Sequence, residues 1–271
     1  MKPLMQGKKG LICGVANDHS LAWGIAKELA SHGAELAFTY ASEPFKKRVI
    51  PLSESLGSSL VFPCDVTEEG AIERVFQDLS HSWETLDFVV HAVAFSNKEE
   101  LRGDFIQTSR ENFLNTMLIS CYSFIETLKH GSAFMNPGGS FLTLSYFGSE
   151  KVVPHYNVMG VAKAALETSV RYAAEDLGKK GIRVNTLSCG SIKTLAASGI
   201  GDFRYILQWS QNNAPLRRNI TLEDVGKSAL YLLSDLSSGV TGETHHVDAG
   251  YNIVGMKAKD APDIVLEKTN Q

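Results

Sequence analysis

The stretch GLICGVANDHSLAWGIAKELA, residues 10 to 30, decides the fold. It opens with a short apolar run of strand character, turns at Gly14, and continues from Leu21 with apolar residues at helical spacing. Gly14 ends the strand and Ser20 stands at an N-cap position. Gly24 falls one turn into the helix, where a missing side chain admits a backbone or a ligand. A strand that feeds a helix through such a turn brings unpaired N–H groups and the positive end of the helix dipole to one point, a seat for a pyrophosphate. The spacing departs from G-x-G-x-x-G, so the turn alone serves equally well as a structural feature.

Further along, similar apolar runs recur at AELAFTY, SLVFPCDV, LDFVVHAVAF, GSFLTLSY, IRVNTLS and ETHHVDAG. Helical spacing fills the gaps, as in Leu21 to His32, Ala71 to Trp83, Arg110 to Lys129 and Tyr156 to Gly178. Parallel neighbours require crossovers, so this alternation predicts an α/β fold: a single doubly wound Rossmann-type domain, its parallel sheet of about seven strands covered by helices on both faces. At 271 residues the chain suits one large domain. We place it over residues 1–256, with an insertion around 191–213 before the last helix. A polar tail, residues 257–271, has little periodicity and is expected to be loosely ordered.

Composition narrows the partners. A formal net charge of −4 gives no general attraction to nucleic acid or to an anionic membrane. Cys13, Cys64, Cys121 and Cys189 form no C-x-x-C pair, and three lie in or beside apolar runs, where a free thiol acts as a small hydrophobe. The apolar run near the N-terminus is too short for a secretory core or a membrane span. A soluble, cytoplasmic protein is expected.

In a doubly wound sheet nucleotides bind beyond the carboxyl ends of the strands. CDV, residues 64 to 66, ends the third strand, and Asp65 there serves either as acceptor for an adenine amino group or as a turn residue. The second strand runs into FTYASEPFKKR, residues 38 to 48. A 2′-phosphate wants a cation at once, and Tyr40, Ala41 and Ser42 supply none. Lys46, Lys47 and Arg48 follow too late for direct assignment, although a bent loop can return one. NADH is favoured, with NADPH left open.

SYFGSEKVVPHYNVMGVAKAALE, residues 145 to 167, carries the chemistry. Ser145 and Tyr146 fall at the carboxyl end of the fifth strand, and Pro154 suits a helix start with Tyr156 near the first turn. Seven residues on, Lys163 returns to nearly the same helix face. Y-x₃-K is absent, because Met159 stands where a carbonyl-reducing enzyme would carry its tyrosine. A phenol remains protonated at neutral pH and can donate to a developing enolate without tuning. The plain alternative is two aromatics at a core edge and a solvated lysine.

These residues resemble the enoyl-[acyl-carrier-protein] reductases of the short-chain dehydrogenase/reductase superfamily. The likeness runs through GVANDHSLAWGIA, CDV, LSYFGSEKVVPHYNVMGVAKAALE, RVNTLSCGSIKTLAASGI and EDVGKSALYLLSDLSSGVTGETHHVDAGY. It implies hydride transfer from NADH to the β-carbon of a trans-2-enoyl thioester carried by acyl carrier protein, in bacterial fatty-acid elongation, by a homotetramer. It further implies that Gly14, Ser20 and Leu21 touch the pyrophosphate and ribose end. Ala41 lies at the adenosine side, Asp65 and Val66 hold the adenine, and Val93 covers the cofactor. Lys163 binds the nicotinamide ribose, and Ile192, Lys193, Thr194, Leu195 and Ala196 run along the nicotinamide and phosphates. Tyr156 then donates to the thioester carbonyl, while Tyr146, Ser96, Met159, Ala196, Ile200 and Phe203 line the acyl pocket. No metal is implied.

Four positions depart from the family pattern: Ser191 replaces a proline, Ala94 a glycine, Ala41 a polar residue and Ala249 a glycine. Ser191 is expected to loosen the backbone into the substrate loop, Ala94 to crowd ligands beside the nicotinamide, and Ala249 to be tolerated at negative φ. TLAASGIGDFRYILQWS, residues 194 to 210, mixes small residues with Leu195, Ile200, Phe203 and Ile206, as either a lid over an acyl chain or an ordinary packed helix. Arg204, Arg217 and Arg218 are the cations considered for the acidic carrier. Two competing readings are a carbonyl reductase of the same fold and a catalytically silent dinucleotide-binding regulator.

Overall fold

A computed structural model describes residues 3–195 and 200–264. In chain order the elements are β1 (Lys9–Cys13), α1 (Leu21–Ser31), β2 (Glu35–Tyr40), α2 (Glu43–Ser55), β3 (Val61–Pro63), α3 (Ala71–Ser80), β4 (Leu86–His91), α4 (Lys98–Leu101), α5 (Arg110–Met117), α6 (Ser123–Ser132), β5 (Met135–Ser145), α7 (Val158–Gly178), β6 (Arg183–Cys189), α8 (Phe203–Asn213), α9 (Leu222–Leu233) and β7 (Thr244–Val247). The strands form one parallel seven-stranded sheet in the order β3-β2-β1-β4-β5-β6-β7. Connections leave β1 toward one edge and β4 toward the other, so a crevice opens between these two strands at their carboxyl ends.

Alternation along each strand builds two cores. Ile12, Phe38, Phe88, Val90, Leu142 and Leu187 face α1 and α9, whereas Leu11, Ala37, Val89, Phe141 and Val184 face α3, α6 and α7. The α1–α9 packing is close because both helices present glycine. A Cβ on Gly24 would lie 2.8 Å from the Leu222 carbonyl oxygen, and one on Gly226 would lie 2.9 Å from the carbonyl oxygen of Gly24. The open face of Gly24 therefore receives backbone, not a ligand.

Several boundaries move from expectation. The apolar run through Phe95 stops being strand at His91, and Ala92 to Phe95 leave the sheet. The helix expected from Arg110 to Lys129 is broken by a π-helical turn over Leu118–Tyr122. Most consequentially, α7 starts at Val158, so Tyr156 lies before the helix, in a turn where His155 and Asn157 both have positive φ, 60° and 41°. Asn157 holds that turn by donating its amide to the carbonyls of Leu101 and Gly103 at 3.2 and 2.8 Å. Ala249 has φ +59°, not the negative value expected, a conformation that costs an L-residue about 1–2 kcal/mol. Its methyl group joins the buried cluster of α1 and α9, which offsets part of that cost. In the tail, Ala261 is buried and Lys257 pairs with Asp263, so residues 257–264 pack more closely than expected.

Candidate active site

A cavity of about 690 Å³ runs along the carboxyl rim of the sheet. That volume suits a sizeable organic ligand. Gly14 and Ser20 border it from the β1–α1 turn, Leu21 from the start of α1, Ala41 from just beyond β2, and Asp65 and Val66 from the turn after β3. Val93 and Ser96 join from the segment after β4, and Ile192, Thr194 and Leu195 from the segment after β6. Tyr146, Tyr156, Met159 and Lys163 close the opposite side, with Ile200 and Phe203 beyond them. Lys193 is exposed and does not border the cavity. Ala196 lies outside the described residues.

The turn before α1 is organised by Ser20. Its hydroxyl accepts from the backbone N–H groups of Ala16 and Asn17 at 3.0 and 3.1 Å, folding the loop back on itself. Ser20 thus occupies the N-cap position without capping the helix, and no side chain caps α1. The first N–H groups of a helix lack intrahelical acceptors, so this end of α1 faces the cavity with donors and a positive dipole. A dinucleotide's pyrophosphate fits that end. Asp65 accepts from the N–H and hydroxyl of Thr67 at 2.9 and 2.7 Å, which fixes its carboxylate at the rim as a turn residue. At β2, Lys46 does return: its ammonium lies 5.8 Å from the Tyr40 ring centroid and is already paired with Glu43 at 3.2 Å.

At the far end, the Lys163 ammonium is buried and donates to the Leu144 carbonyl at 2.8 Å. Burial pulls its pKa down to about 8, against the opposing pull of Cys121, Cys189 and Glu167. Tyr156 is 6% exposed and meets Tyr146 edge-on, ring centroids 5.0 Å apart at 70°. Desolvation, reinforced by Tyr146 and Glu167, pushes the Tyr156 phenol far above its usual range, so it keeps its proton at neutral pH. Burial also raises Tyr146, while a hydrogen bond with Ser191 opposes the rise. Ser96, by contrast, spends its hydroxyl in a buried network with Asn112 and Thr116.

Three groups escaped the sequence reading. Glu167, one turn beyond Lys163, is buried and accepts from both Ser145 and Ser149, the latter at 2.6 Å. Its i+4 spacing from Lys163 was the available signal. His91 lines the cavity, contacts the hydroxyls of Ser123 and Thr143 at 2.8 and 3.3 Å, and is held neutral by burial, which lowers its pKa to about 3. The third is the hydroxyl of Ser191, buried two residues beyond β6, at a position the sequence marked only as a replaced proline. All four cysteines are free, and burial lifts the thiols of Cys13 and Cys64 to about 11 and 12, which leaves them unreactive. Among the arginines considered for carrier docking, Arg218 is engaged with Asp224 at 2.6 Å and Arg217 with the carbonyls at the end of α8, whereas Arg204 is exposed.

A helix N-terminus at the β1–β4 crevice, with a neutral phenol and an ammonium on the same cavity, defines a nicotinamide-dependent oxidoreductase of the short-chain dehydrogenase type. More narrowly, the chain belongs to the enoyl-(acyl carrier protein) reductase family, whose model matches residues 14–252. It is 63% identical over 265 residues to enoyl-[acyl-carrier-protein] reductase [NADH] 1 of Rhizobium meliloti, covering 98% of this chain and 97% of that one. It is 54% identical to the NADH-type FabI of Rickettsia typhi, covering 93% and 97%. Among solved structures, the Anaplasma phagocytophilum enzyme in complex with NAD matches at a TM-score of 0.92 and 61% identity, covering 96% of this chain and 98% of that one. The Bacillus cereus enzyme, solved with NADP+ and an indole naphthyridinone, matches at 0.91 and 49%, covering 93% and 99%. No described helix is long and apolar enough to cross a membrane.

Proposed function

We propose that this protein reduces trans-2-enoyl thioesters bound to acyl carrier protein, using NADH, with Tyr156 as the donor to the thioester oxygen and Lys163 as the anchor for the cofactor ribose. The observation that carries this reading is the convergence of Tyr146, Tyr156, Lys163 and the α1 N-terminus on one cavity. NADH bound there supplies a hydride to the β-carbon. As charge moves to the thioester oxygen, the neutral Tyr156 phenol donates to it, a preorganised donor in a dry site stabilises that charge more than water would, and the enolate then takes a proton from solvent at the α-carbon to give the saturated thioester. Lys163, held at Leu144, offers its remaining protons to ribose hydroxyls.

The other side chains shape the pocket. Gly14, Ser20 and Leu21 receive the pyrophosphate end, Asp65 and Val66 the adenine, and Val93, Ile192, Thr194 and Leu195 the nicotinamide half. Tyr146, Met159, Ile200 and Phe203 surround the acyl chain, and residues 191–213 serve as its cover within one reductase unit, 1–256. The pairing of Lys46 with Glu43 and the absence of a cation at Tyr40 to Ser42 favour NADH. The NADP+ held by the Bacillus cereus relative keeps the comparison with NADPH informative. Assembly as a cytoplasmic homotetramer completes the proposal, supported by exposed apolar residues on α5 to α7.

Purified protein with NADH and a short trans-2-enoyl thioester is expected to show loss of the reduced-nicotinamide absorbance, faster than with NADPH at equal concentration. Turnover of a 3-ketoacyl thioester without turnover of any enoyl thioester would favour the carbonyl-reductase reading. Dinucleotide binding without turnover of either would favour a silent regulator.

A further inference from the structure

Three hydroxyls stand in series beside the cavity. The Ser191 Oγ lies 3.3 Å from the phenolic oxygen of Tyr146 and 3.2 Å from the Oγ of Ser210 on α8. Both serines are buried, at 5% and 6% exposure. A buried hydroxyl that loses its partner is costly, so these contacts fix orientation and are not incidental. Ser191 itself rests on rigid backbone. The preceding Gly190 donates to the Val247 carbonyl at 2.8 Å, and a Cβ there would come within 2.8 Å of the Asp248 Cα.

We propose that Ser191 is a positioning residue for the enoyl substrate: its hydroxyl holds the Tyr146 phenol at the acyl side of the cleft and ties it to α8 through Ser210. The inference rests on the reading that Tyr146 and Tyr156 border the reacting thioester. Tyr146 packs edge-on against Tyr156, so a Tyr146 ring free to rotate would also loosen the surface against which Tyr156 is set. Phe203, at the start of α8, borders the same cavity. The Ser191 hydroxyl therefore links the place of α8 to the orientation of Tyr146. Far from loosening the chain after β6, Ser191 fastens it. The pyrophosphate end of the cavity lies on other elements, and only the nicotinamide half runs past Ile192, Thr194 and Leu195 beside Ser191, so the larger effect falls on the enoyl thioester and the smaller on NADH.

The test is steady-state kinetics of Ser191→Ala, Ser191→Thr, Ser210→Ala, Tyr146→Phe and the double variant Ser191→Ala/Tyr146→Phe, with short- and long-chain trans-2-enoyl thioesters. Ser191→Ala is expected to raise the enoyl KM about fivefold while the NADH KM stays within about twofold, the size of one net hydrogen bond. Ser191→Thr, which keeps the hydroxyl, restores the enoyl KM. Tyr146→Phe removes the same contact from the other side, so the double variant is no worse than the weaker single variant. Ser210→Ala raises the enoyl KM by about twofold through the outer contact alone.

Thermal unfolding of each variant separates misfolding from misplacement, and Ser210→Ala carries the test if Ser191→Ala does not fold. Multiplying effects in the double variant would overturn the proposal, as would an unchanged enoyl KM in Ser191→Ala where Tyr146→Phe raises it. If neither Tyr146→Phe nor Tyr156→Phe alters enoyl kinetics, the thioester's placement at these tyrosines fails first and the positioning role falls with it.

Discussion

Tyr156 and Lys163 answer opposite demands with the same device, burial. A desolvated phenol holds its proton more tightly, which suits a donor, whereas a desolvated ammonium holds its proton less tightly. Replacing Tyr156 with phenylalanine removes the donor and little volume. We expect kcat to fall about 100-fold, the loss typical of one oxyanion donor, while NADH affinity measured by fluorescence titration is retained. A larger loss of NADH binding than of turnover would reverse the assigned roles. Lys163 has a signature in pH. With its pKa lowered to about 8, the free enzyme loses this proton, and with it the charge proposed to bind ribose hydroxyls, as pH rises past 8. The kcat/KM for NADH is expected to decline above about pH 8, an inflection absent from Lys163→Ala, whose NADH affinity is already weak. A wild-type profile flat to the ordinary lysine range would contradict the buried ammonium.

The α1–α9 pair shows how packing reaches the cofactor end of the cleft. Because Gly24 and Gly226 let the two backbones touch, the N-terminus of α1 is held against the sheet by α9, which itself starts with a capping box between Thr221 and Asp224. Gly24→Val would press a branched side chain on Leu222 and force the helices apart, costing about 3 kcal/mol of stability. Urea unfolding checks the loss, and NADH titration should show weaker binding, since the anion-facing end of α1 shifts with the helix. Stability lost with NADH affinity intact would place the pyrophosphate elsewhere. Elements such as these were legible in the sequence because they depend on local pattern. The strand runs and the glycine turn stand where their pattern implied, and Tyr146, Tyr156 and Lys163 border one cavity, although the helical spacing that linked Tyr156 to Lys163 does not hold. What escaped depends on contacts distant in the chain or on a single torsion. Tyr156 sits outside its helix because Asn157 reaches back to Leu101 and Gly103, Glu167 is gripped by hydroxyls of the β5 end, and Ala249 holds a left-handed φ that composition does not announce.

Some of the exposed large hydrophobic side chains lie on α5, α6 and α7. Leu114, Tyr122, Ile125, Val161 and Tyr172 are exposed on these helices or the turn joining them, Tyr172 at 75%. Ile125 and Tyr172 border one shallow groove between α6 and α7. Contiguous apolar patches on soluble chains mark interaction surfaces, and homo-oligomers usually cover them by closed symmetry. The opposite end of α7 carries Lys163, so an interface on this helix would brace the active site from behind. Tyr172→Arg places a charge in the groove without touching the cavity. Sedimentation is expected to give the wild type a tetramer's mass and the variant a smaller one. The wild-type Tm should also rise with protein concentration, because assembly binds only the folded chain, whereas the variant's should rise less. A variant that keeps the full mass would show that α6 and α7 do not meet a second copy, and the exposed tyrosine would need another partner.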